Sequence, residues 1–313
     1  MFDVLNNVAP DFATTLPRLR RNIGAQPFAA RKHIYGVYRQ AKGWPPETFL
    51  ARNQGTNMGK KTVDEMVDIG SAEFSVFSVK ATDVLDVFPH RSHGRLQRPS
   101  NNLMAWAVRA KRQASLATIG GPEWFRGAGL YGLFYKGSLI YIGKFLGQKN
   151  NPWAGNIVVN RWWAHIATVT AFGHRISFSP SIWQQLQDES PNHPLIIALG
   201  KVVRQQVFAT DRGGATSLKR LMFARKHWDT FGHGQPENIL RDFCFVYVRA
   251  TGNGAGNDIE GIRQAISSAE QDAVVEFSPC CNRGGADRPK GNPNPKALAR
   301  YFVSKLSVRR PPQ

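Results

Sequence analysis

Residues 129–145 (GLYGLFYKGSLIYIGKF) constrain the fold of this chain more than any other segment. Two runs rich in aromatic and β-branched residues flank Lys136, Gly137 and Ser138. Such runs on either side of a glycine-containing turn are typical of a β-hairpin. The pattern therefore predicts two antiparallel strands near the centre of the chain.

The segments after the hairpin alternate between helical and strand patterns. Phe243 to Arg249 (FCFVYVR) has the continuous apolar character of a buried strand. A stretch rich in Gly, Pro and charge at 283–295 predicts a loop. Helical patterns occur at about 160–172, 181–186, 195–208 and 258–277, and the last of these begins with an aspartate cap.

Lysine and arginine outnumber aspartate and glutamate by 41 to 22, which gives a formal net charge of +19. Such a charge attracts polyanions through long-range electrostatics and counterion release, so nucleic acid is the leading candidate partner. The sequence has neither a membrane-length apolar run nor a signal peptide at Met1. These features argue against a membrane partner and predict a soluble, cytoplasmic protein. Charge alone does not separate an enzyme from a DNA-packaging protein.

The cysteine pattern argues against a disulfide-rich protein and against a zinc-binding protein. Cys244, Cys280 and Cys281 are an odd number, and they form no CxxC pair. Neither a disulfide framework nor a zinc site is supported, and we expect reduced thiols.

The hairpin contains Gly129-Leu130-Tyr131 and, after nine residues, Tyr141-Ile142-Gly143. This arrangement resembles the signature hairpin of the GIY-YIG nucleases, with Leu130 in place of the usual isoleucine. Two tripeptides are a short motif, so the rest of the chain has to support it.

The helix predicted after the hairpin carries Arg161 and His165. A spacing of four places both side chains on one helical face, where an ordinary exposed basic pair is the simpler interpretation. GIY-YIG nucleases have an arginine on the helix after the hairpin, and many of them have a histidine four residues later. The position of the pair in the chain therefore favours the resemblance.

A further part of the resemblance lies in residues 270–282 (EQDAVVEFSPCCN). The closing helix of the family has a metal-binding glutamate followed by aliphatic residues, a proline and an asparagine, which Glu270, Pro279 and Asn282 match. At about 100° per residue, Glu270 points among the apolar positions of its helix. A buried carboxylate needs a cation or hydrogen bonds, and a divalent metal together with Arg161 would meet that need.

These motifs occur in the family's order, and the resemblance implies an α+β fold with a small antiparallel three-stranded sheet flanked by helices. The module differs from compact family members by insertions at 145–160 and 176–237. We divide the chain into a helical N-terminal region for DNA contact or packing (1–126), a nuclease module (127–285) and a basic C-terminal extension (286–313).

The resemblance also implies a role for each matched residue. Glu270 would bind Mg²⁺, with Mn²⁺ as the alternative ion, and water and phosphate would complete its coordination. Tyr131 would act as general base or position the attacking water. Because a free tyrosine is a poor base at neutral pH, the metal or His165 would have to lower its pKa or accept its proton. Arg161 would stabilise charge in the transition state, and Tyr141 would bond to the phosphate or align the nucleophile.

Two more residues complete the expected site. Lys144 would contact phosphate, whereas Asn282 would hold the geometry, because an amide has no useful pKa. Both tyrosines are assigned to one phosphate, so they should project from one face of the hairpin. A two-residue turn would place them on opposite faces, and we therefore predict a three-residue turn that pairs Tyr135 with Leu139.

The additions around the module favour one subgroup of the family. Their layout is more similar to type II restriction endonucleases than to the homing enzymes or the excision-repair subunit. Alternatives are a mobile-element or phage endonuclease of low specificity and a non-catalytic DNA-binding protein on a nuclease fold. One active centre per chain predicts a homo-oligomer on double-stranded DNA. We assign DNA contacts to the basic residues Lys60, Lys61, Arg109, Lys111, Arg112, Lys219, Arg220, Arg225 and Lys226.

Overall fold

The computed structural model describes residues 63–70, 73–89, 91–92, 95–96, 106–112, 123–171, 180–203, 217–251, 259–283 and 290–308. All of them belong to a unit that spans Thr56–Gln313, and a second unit comprises Met1–Gly55. The predicted DNA contacts Lys60 and Lys61 lie outside the described residues. The helical character predicted for residues 1–126 is wrong for their described part, which forms six strands between Val63 and Ala110, one helix of four residues and a 3₁₀ turn. Residues 1–62 lie outside the described residues.

The described residues form strands, helices and two irregular helical turns. The strands are β1 (Val63–Glu65), β2 (Phe74–Lys80), β3 (Leu85–Pro89), β4 (Arg91–Ser92), β5 (Arg95–Leu96), β6 (Trp106–Ala110), β7 (Gly129–Tyr135), β8 (Ser138–Phe145) and β9 (Phe243–Ala250). The helices are α1 (Ala81–Val84), α2 (Trp163–Thr170), α3 (Pro180–Glu189), α4 (Pro194–Val203), α5 (Leu218–Lys226), α6 (Trp228–Phe231), α7 (Pro236–Arg241), α8 (Ile259–Phe277) and α9 (Pro295–Val308). The irregular turns are a 3₁₀ turn at Glu123–Phe125 and a π-helical turn at Val158–Trp162.

An antiparallel sheet of five strands, in the order β1-β2-β9-β7-β8, forms the centre of this unit. The α+β class is confirmed, but the predicted three-stranded sheet is wrong, because β1 and β2 extend it beyond β9. Strand β2 (FSVFSVK) buries Phe74 and Val76 in one core and Phe77 and Val79 in another. The spacing of three between these apolar residues suits a helix as well as a strand buried on both faces, so the sequence pattern did not reveal the strand.

The elements predicted after the hairpin are confirmed. The strand expected at 243–249 is β9, and the helical patterns correspond to α2, α3, α4 and α8. The last residues of the pattern at 195–208 lie outside the described residues. Among the helices that the structure describes, none is long and apolar enough to cross a membrane.

Helices cover both faces of the sheet and create two cores. The first core joins the sheet to α2, α5 and α7, and the second joins the opposite face to α8 and α9. Because neighbouring residues of a strand point to opposite faces, β9 contributes Phe245 and Tyr247 to the first core and Val246 and Val248 to the second. The position of a residue along β7 or β8 therefore decides which core it faces.

The turn of the β7–β8 hairpin has two residues, because Tyr135 pairs with Ser138. The predicted three-residue turn is wrong. Lys136 and Gly137 have φ angles of 49° and 78°, and positive values at both central residues suit the tight turn that matches the twist of two strands.

A β-bulge next to this turn nevertheless places the two tyrosines on one face, as predicted. Phe134 pairs with Leu139 and Leu133 pairs with Tyr141, so Ile140 is the extra residue on β8. The insertion shifts the alternation of β8 by one residue. The ring centroids of Tyr131 and Tyr141 consequently lie 6.2 Å apart on the same side of the sheet.

Candidate active site

Three aromatic side chains, Tyr131, Tyr141 and His165, meet on the face of the sheet that α2 covers. The Tyr131 hydroxyl oxygen lies 2.5 Å from Nε2 of His165. The His165 ring centroid is 5.5 Å from that of Tyr131 and 4.5 Å from that of Tyr141. Tyr131 and His165 are buried, with 1% and 7% of their surface exposed, whereas Tyr141 is partly exposed. Tyr131 and His165 thus form a buried hydrogen-bonded pair, and the neighbouring Tyr141 extends from this pair toward the protein surface.

The glycines of the two tripeptides make room for this cluster. A Cβ atom at Gly143 would lie 2.6 Å from Cζ and from the hydroxyl oxygen of Tyr131. A Cβ atom at Gly129 would lie 2.2 Å from the carbonyl oxygen of Val248 on the neighbouring strand. Both positions therefore need glycine because other groups approach the backbone closely.

The helical segment after the hairpin presents Arg161 and His165. Arg161 lies in the π-helical turn, and His165 lies in the first turn of α2. Between them, the buried Trp162 stacks on Phe245 of β9, with ring centroids 4.2 Å apart and planes 6° from parallel. This stacking anchors the segment to the sheet. Arg161 is exposed and close enough to act electrostatically on both tyrosines.

A second arginine, Arg220, reaches the same cluster from α5. Its guanidinium carbon lies 4.7 Å from the centroid of the Tyr141 ring. Its Nη1 donates a hydrogen bond of 3.1 Å to Oγ1 of Thr168 in α2. The sequence predicts Arg220 only as a general DNA contact, because no spacing rule links a helix in an insertion to the hairpin. In the sequence, the signal for Arg220 is the basic pair Lys219-Arg220, and this pair does not indicate a contact with the tyrosines.

Burial and nearby charges determine the protonation of the cluster. Burial raises the pKa of Tyr131 well above its usual range, Tyr141 adds to this effect, and Arg161 and Arg220 oppose it. Burial also raises the pKa of Tyr141, against the effect of the Arg220 charge. Burial lowers the pKa of His165 well below its usual value of 6.5, and the charges of Arg220 and Arg161 lower it further. At neutral pH the imidazole is therefore neutral, and in the tautomer with its hydrogen on Nδ1 the Nε2 atom accepts the hydrogen bond of the Tyr131 hydroxyl.

Asn282 holds the backbone in the middle of the second tripeptide. Its Oδ1 accepts a hydrogen bond of 2.9 Å from the Ile142 amide, and its Nδ2 donates one of 2.7 Å to the Ile142 carbonyl. The amide of Cys281 also donates a hydrogen bond of 2.9 Å to the carbonyl of Ile140. These bonds hold the edge strand β8 on both sides of Tyr141. Asn282 thus holds the backbone next to Tyr141, and its role in an active site stays a prediction.

Glu270 lies on α8 near the β8 edge of the sheet. Its Oε2 is 2.9 Å from Nζ of Lys144, and the two side chains are 19% and 30% exposed. The negative charge of Glu270 acts on both Tyr131 and Tyr141, so the carboxylate is near the cluster although α8 packs in the second core. Lys144, predicted as a phosphate contact, here binds the predicted metal ligand.

The chemistry of Glu270 fits a hard divalent cation with few protein ligands. Within the described ranges, no group of three or more His, Cys, Asp or Glu side chains could hold a metal ion. Magnesium commonly uses one or two carboxylates and keeps water or substrate phosphate in its other positions. The Lys144 ammonium lies 2.9 Å from this carboxylate, so a metal ion would have to replace or share that contact. A site with Glu270 as the protein ligand is compatible with Mg²⁺ or Mn²⁺.

The structure places the remaining predicted DNA contacts in two groups. In the first, Arg109 lies over the ring of Phe88 at 4.7 Å, and Lys111 donates a hydrogen bond to the carbonyl of Thr82. The second borders the tyrosine cluster through Arg220. The first group, at the end of β6, comprises Arg109, Lys111 and Arg112, and the second, on α5, comprises Lys219, Arg220, Arg225 and Lys226.

No protein-family model, no curated protein and no solved structure matches this chain. The resemblance to GIY-YIG nucleases therefore stays a prediction. Its support is the motifs themselves and the arrangement of Tyr131, Tyr141, His165, Arg161 and Glu270 around one position on the sheet.

Proposed function

We propose that the chain is a metal-dependent DNA endonuclease that hydrolyses phosphodiester bonds beside Tyr131 and His165. The observation that carries this proposal is their 2.5 Å hydrogen bond, which is buried next to Tyr141 and two arginines. A buried proton acceptor beside fixed positive charge suits the attack of water on a bound phosphate.

The attacking water has to lose a proton as its oxygen bonds to phosphorus. Tyr131 accepts that proton while its own hydroxyl proton passes to Nε2 of His165. The bond between phosphorus and the leaving oxygen then breaks, and that oxygen takes up a proton from water. This relay avoids a buried tyrosinate and starts from a neutral His165. The imidazolium that it forms is short-lived, because burial and the charges of Arg220 and Arg161 disfavour it.

Negative charge grows on the phosphate oxygens during this attack. Arg161, exposed at the mouth of the cluster, and Arg220, which lies over Tyr141, supply positive charge on two sides. Fixed guanidinium groups stabilise such charge through strong hydrogen bonds to phosphate oxygens. The Tyr141 hydroxyl would bond to one of the same oxygens.

Glu270 would hold the metal ion, Mg²⁺ with Mn²⁺ as the alternative. When bound, the ion would neutralise charge on the phosphate and on the leaving oxygen. Lys144 would then release the carboxylate and remain beside the phosphate, which accounts for its predicted role as a phosphate contact.

The partner that we propose is double-stranded DNA cleaved at specific sites, as in type II restriction. The net charge of +19 and the basic residues of α5 support a DNA partner. Two copies related by two-fold symmetry would cut the two strands. Gel filtration with DNA and Ca²⁺ should show at least two protomers per duplex, and an endonuclease of low specificity would cut without producing discrete fragments.

A second candidate is a DNA-binding protein without catalysis. The ion pair between Lys144 and Glu270 favours it, because an ammonium group already neutralises the expected metal ligand. This candidate predicts DNA binding that Mg²⁺ does not affect.

Incubation of plasmid DNA with the full chain tests the proposal. We expect discrete fragments with Mg²⁺ or Mn²⁺ and none with EDTA. Tyr131→Phe should abolish cutting but keep DNA binding, because only the hydroxyl is removed. Binding without cutting under every metal condition would establish the second candidate instead.

A further inference from the structure

An open groove of about 860 Å³ lies beside the tyrosine cluster, between the turn of the β7–β8 hairpin and helix α5. Its volume lies within the range of roughly 300–1,000 Å³ that is typical of small-ligand pockets. The groove begins next to the site, because Ile140 precedes Tyr141 and Lys219 precedes Arg220. The proposed proton transfer from water through Tyr131 to His165 does not involve this groove.

The floor of the groove is apolar and its rim is basic. Leu139, Ile140, Met222 and Phe223 contribute the apolar surface. The basic side chains around it are Lys136, Lys219, Arg225 and Lys226. A ligand that fits both features has an apolar, flat part and an anionic part.

Carboxylates near the groove offset part of this charge from outside its lining. Lys136 lies 3.6 Å from Asp242 and Arg225 lies 3.4 Å from Glu189, and neither carboxylate lines the groove. Among the described residues that line the groove, Lys or Arg occurs at four positions and Asp or Glu at none. The rim therefore favours a phosphate.

The thiol of Cys280, which lines the groove, is affected by the charges of the same lysines. The pKa of Cys280 is lowered, first by a hydrogen bond from Cys281 and then by the charges of Lys226 and Lys219. Negative charge in the wall is thus stabilised by the same lysines that line the rim.

We propose that this groove receives one unpaired nucleotide of the DNA next to the cleaved phosphate, with its base on the apolar floor and its phosphate at Lys219 and Lys226. The inference rests on the proposed nuclease function. A fully paired backbone presents sugars and phosphates to a protein and keeps its bases stacked inside, so it would leave the apolar floor uncovered. An extruded base offers the flat apolar face that the floor requires.

The test compares two probes in Ca²⁺, with the full chain. One probe is a paired DNA duplex, and the other is the same duplex with one additional unpaired 2-aminopurine. We expect the second probe to bind about tenfold more tightly, because its additional base is unpaired before binding and the cost of unpairing is already met. The 2-aminopurine fluorescence should change on binding as the base enters the groove.

Substitutions in the groove should remove this preference without changing affinity for the paired duplex. Met222→Trp fills the floor, whereas Met222→Ala enlarges it and should keep the preference. Ser138→Trp, at the exposed start of β8, fills the groove from the opposite wall and provides a second test if Met222→Trp does not fold. Val67→Trp is the matched control, because Val67 is 75% exposed and does not line the groove.

Equal binding of both probes, or unchanged fluorescence, would overturn the inference. If plasmid cutting persists in that case, the inference fails and the proposed nuclease function stands. If neither probe binds and no plasmid is cut, the proposed function fails as well.

Discussion

The two faces of the sheet differ in chemistry although the same strands form both. The face covered by α2 and α5 contains the hydrogen-bonded Tyr131 and His165, with arginines beside Tyr141. The opposite face, covered by α8 and α9, is an apolar core. The tripeptide at 141–143 is divided between them, since Tyr141 faces the cluster and Ile142 is buried in the second core.

The first face therefore carries the residues that we propose for catalysis, whereas the second face carries residues that stabilise the fold. Changes in the tyrosine cluster of the first face should alter catalysis more than stability, and changes in the second core should do the reverse. Glu270 is the informative exception, because α8 packs in the second core while its carboxylate acts on the tyrosines of the first face. Our predictions test this division, in order of the expected effect.

Glu270→Gln should have the largest effect, because it removes a proposed catalytic group that lies on a helix of the second core. We expect cutting to fall about 10³-fold or more, because a catalytic metal contributes several kcal/mol, while DNA binding and the melting temperature change little. The measurements are cutting rates with Mg²⁺ and thermal unfolding. Glu276→Gln is the control, since Glu276 is an exposed carboxylate on the same helix. A near-normal rate for Glu270→Gln would place the metal elsewhere.

Arg161→Ala and Arg220→Ala test whether two cations from different segments act on one phosphate. Each should slow cutting by about 10²- to 10³-fold, the effect of removing one donor to transition-state charge, and weaken DNA binding less. Lysine at either position should restore part of the rate. Arg225→Ala on α5 is the control and should weaken binding without a matching loss in rate. If Arg220→Ala cuts normally, Arg220 is only a structural contact of Tyr141.

Asn282→Ala tests the supporting role of the segment after α8. It should lower the free energy of unfolding by about 1–3 kcal/mol, because two buried backbone groups of Ile142 lose their partners. Asn282→Asp keeps an acceptor for the amide but replaces the donor to the Ile142 carbonyl by a buried charge, so it should lose at least as much stability. Denaturant unfolding of both variants measures the effect, and unchanged stability of Asn282→Ala would contradict the role.

The smallest effect concerns pH. Burial lowers the pKa of His165, so below pH 6.5 the unfolded chain takes up a proton that the folded chain does not bind. The free energy of unfolding should therefore fall as the pH falls below 6.5, by at most about 1.4 kcal/mol per pH unit from this group. His165→Gln should reduce that slope relative to wild type in denaturant titrations at several pH values. His227→Gln is the control for a less buried histidine whose pKa is also lowered. An equal slope in His165→Gln and wild type would show that folding does not lower the pKa of His165.

Local patterns were sufficient for the elements that carry the motifs. Continuous apolar runs indicated β7, β8 and β9, and helical spacing indicated α2 and α8, because these signals come from residues close in the chain. The pairing of β2 with β9 and the bulge at Ile140 were not predicted. Both depend on contacts between distant segments, and β2 has a spacing that suits two kinds of element.

The sequence by itself determined which residue types stand on the hairpin, on the helix after it and on the closing helix, and hence the candidates for the site. Tertiary structure decided how they meet. The bulge brings Tyr141 onto the face of Tyr131, α5 adds Arg220 from a segment without a motif, and Lys144 binds Glu270. The physical reason is that side-chain direction follows from backbone geometry at each residue, whereas charge and packing act between residues that only the complete fold brings together.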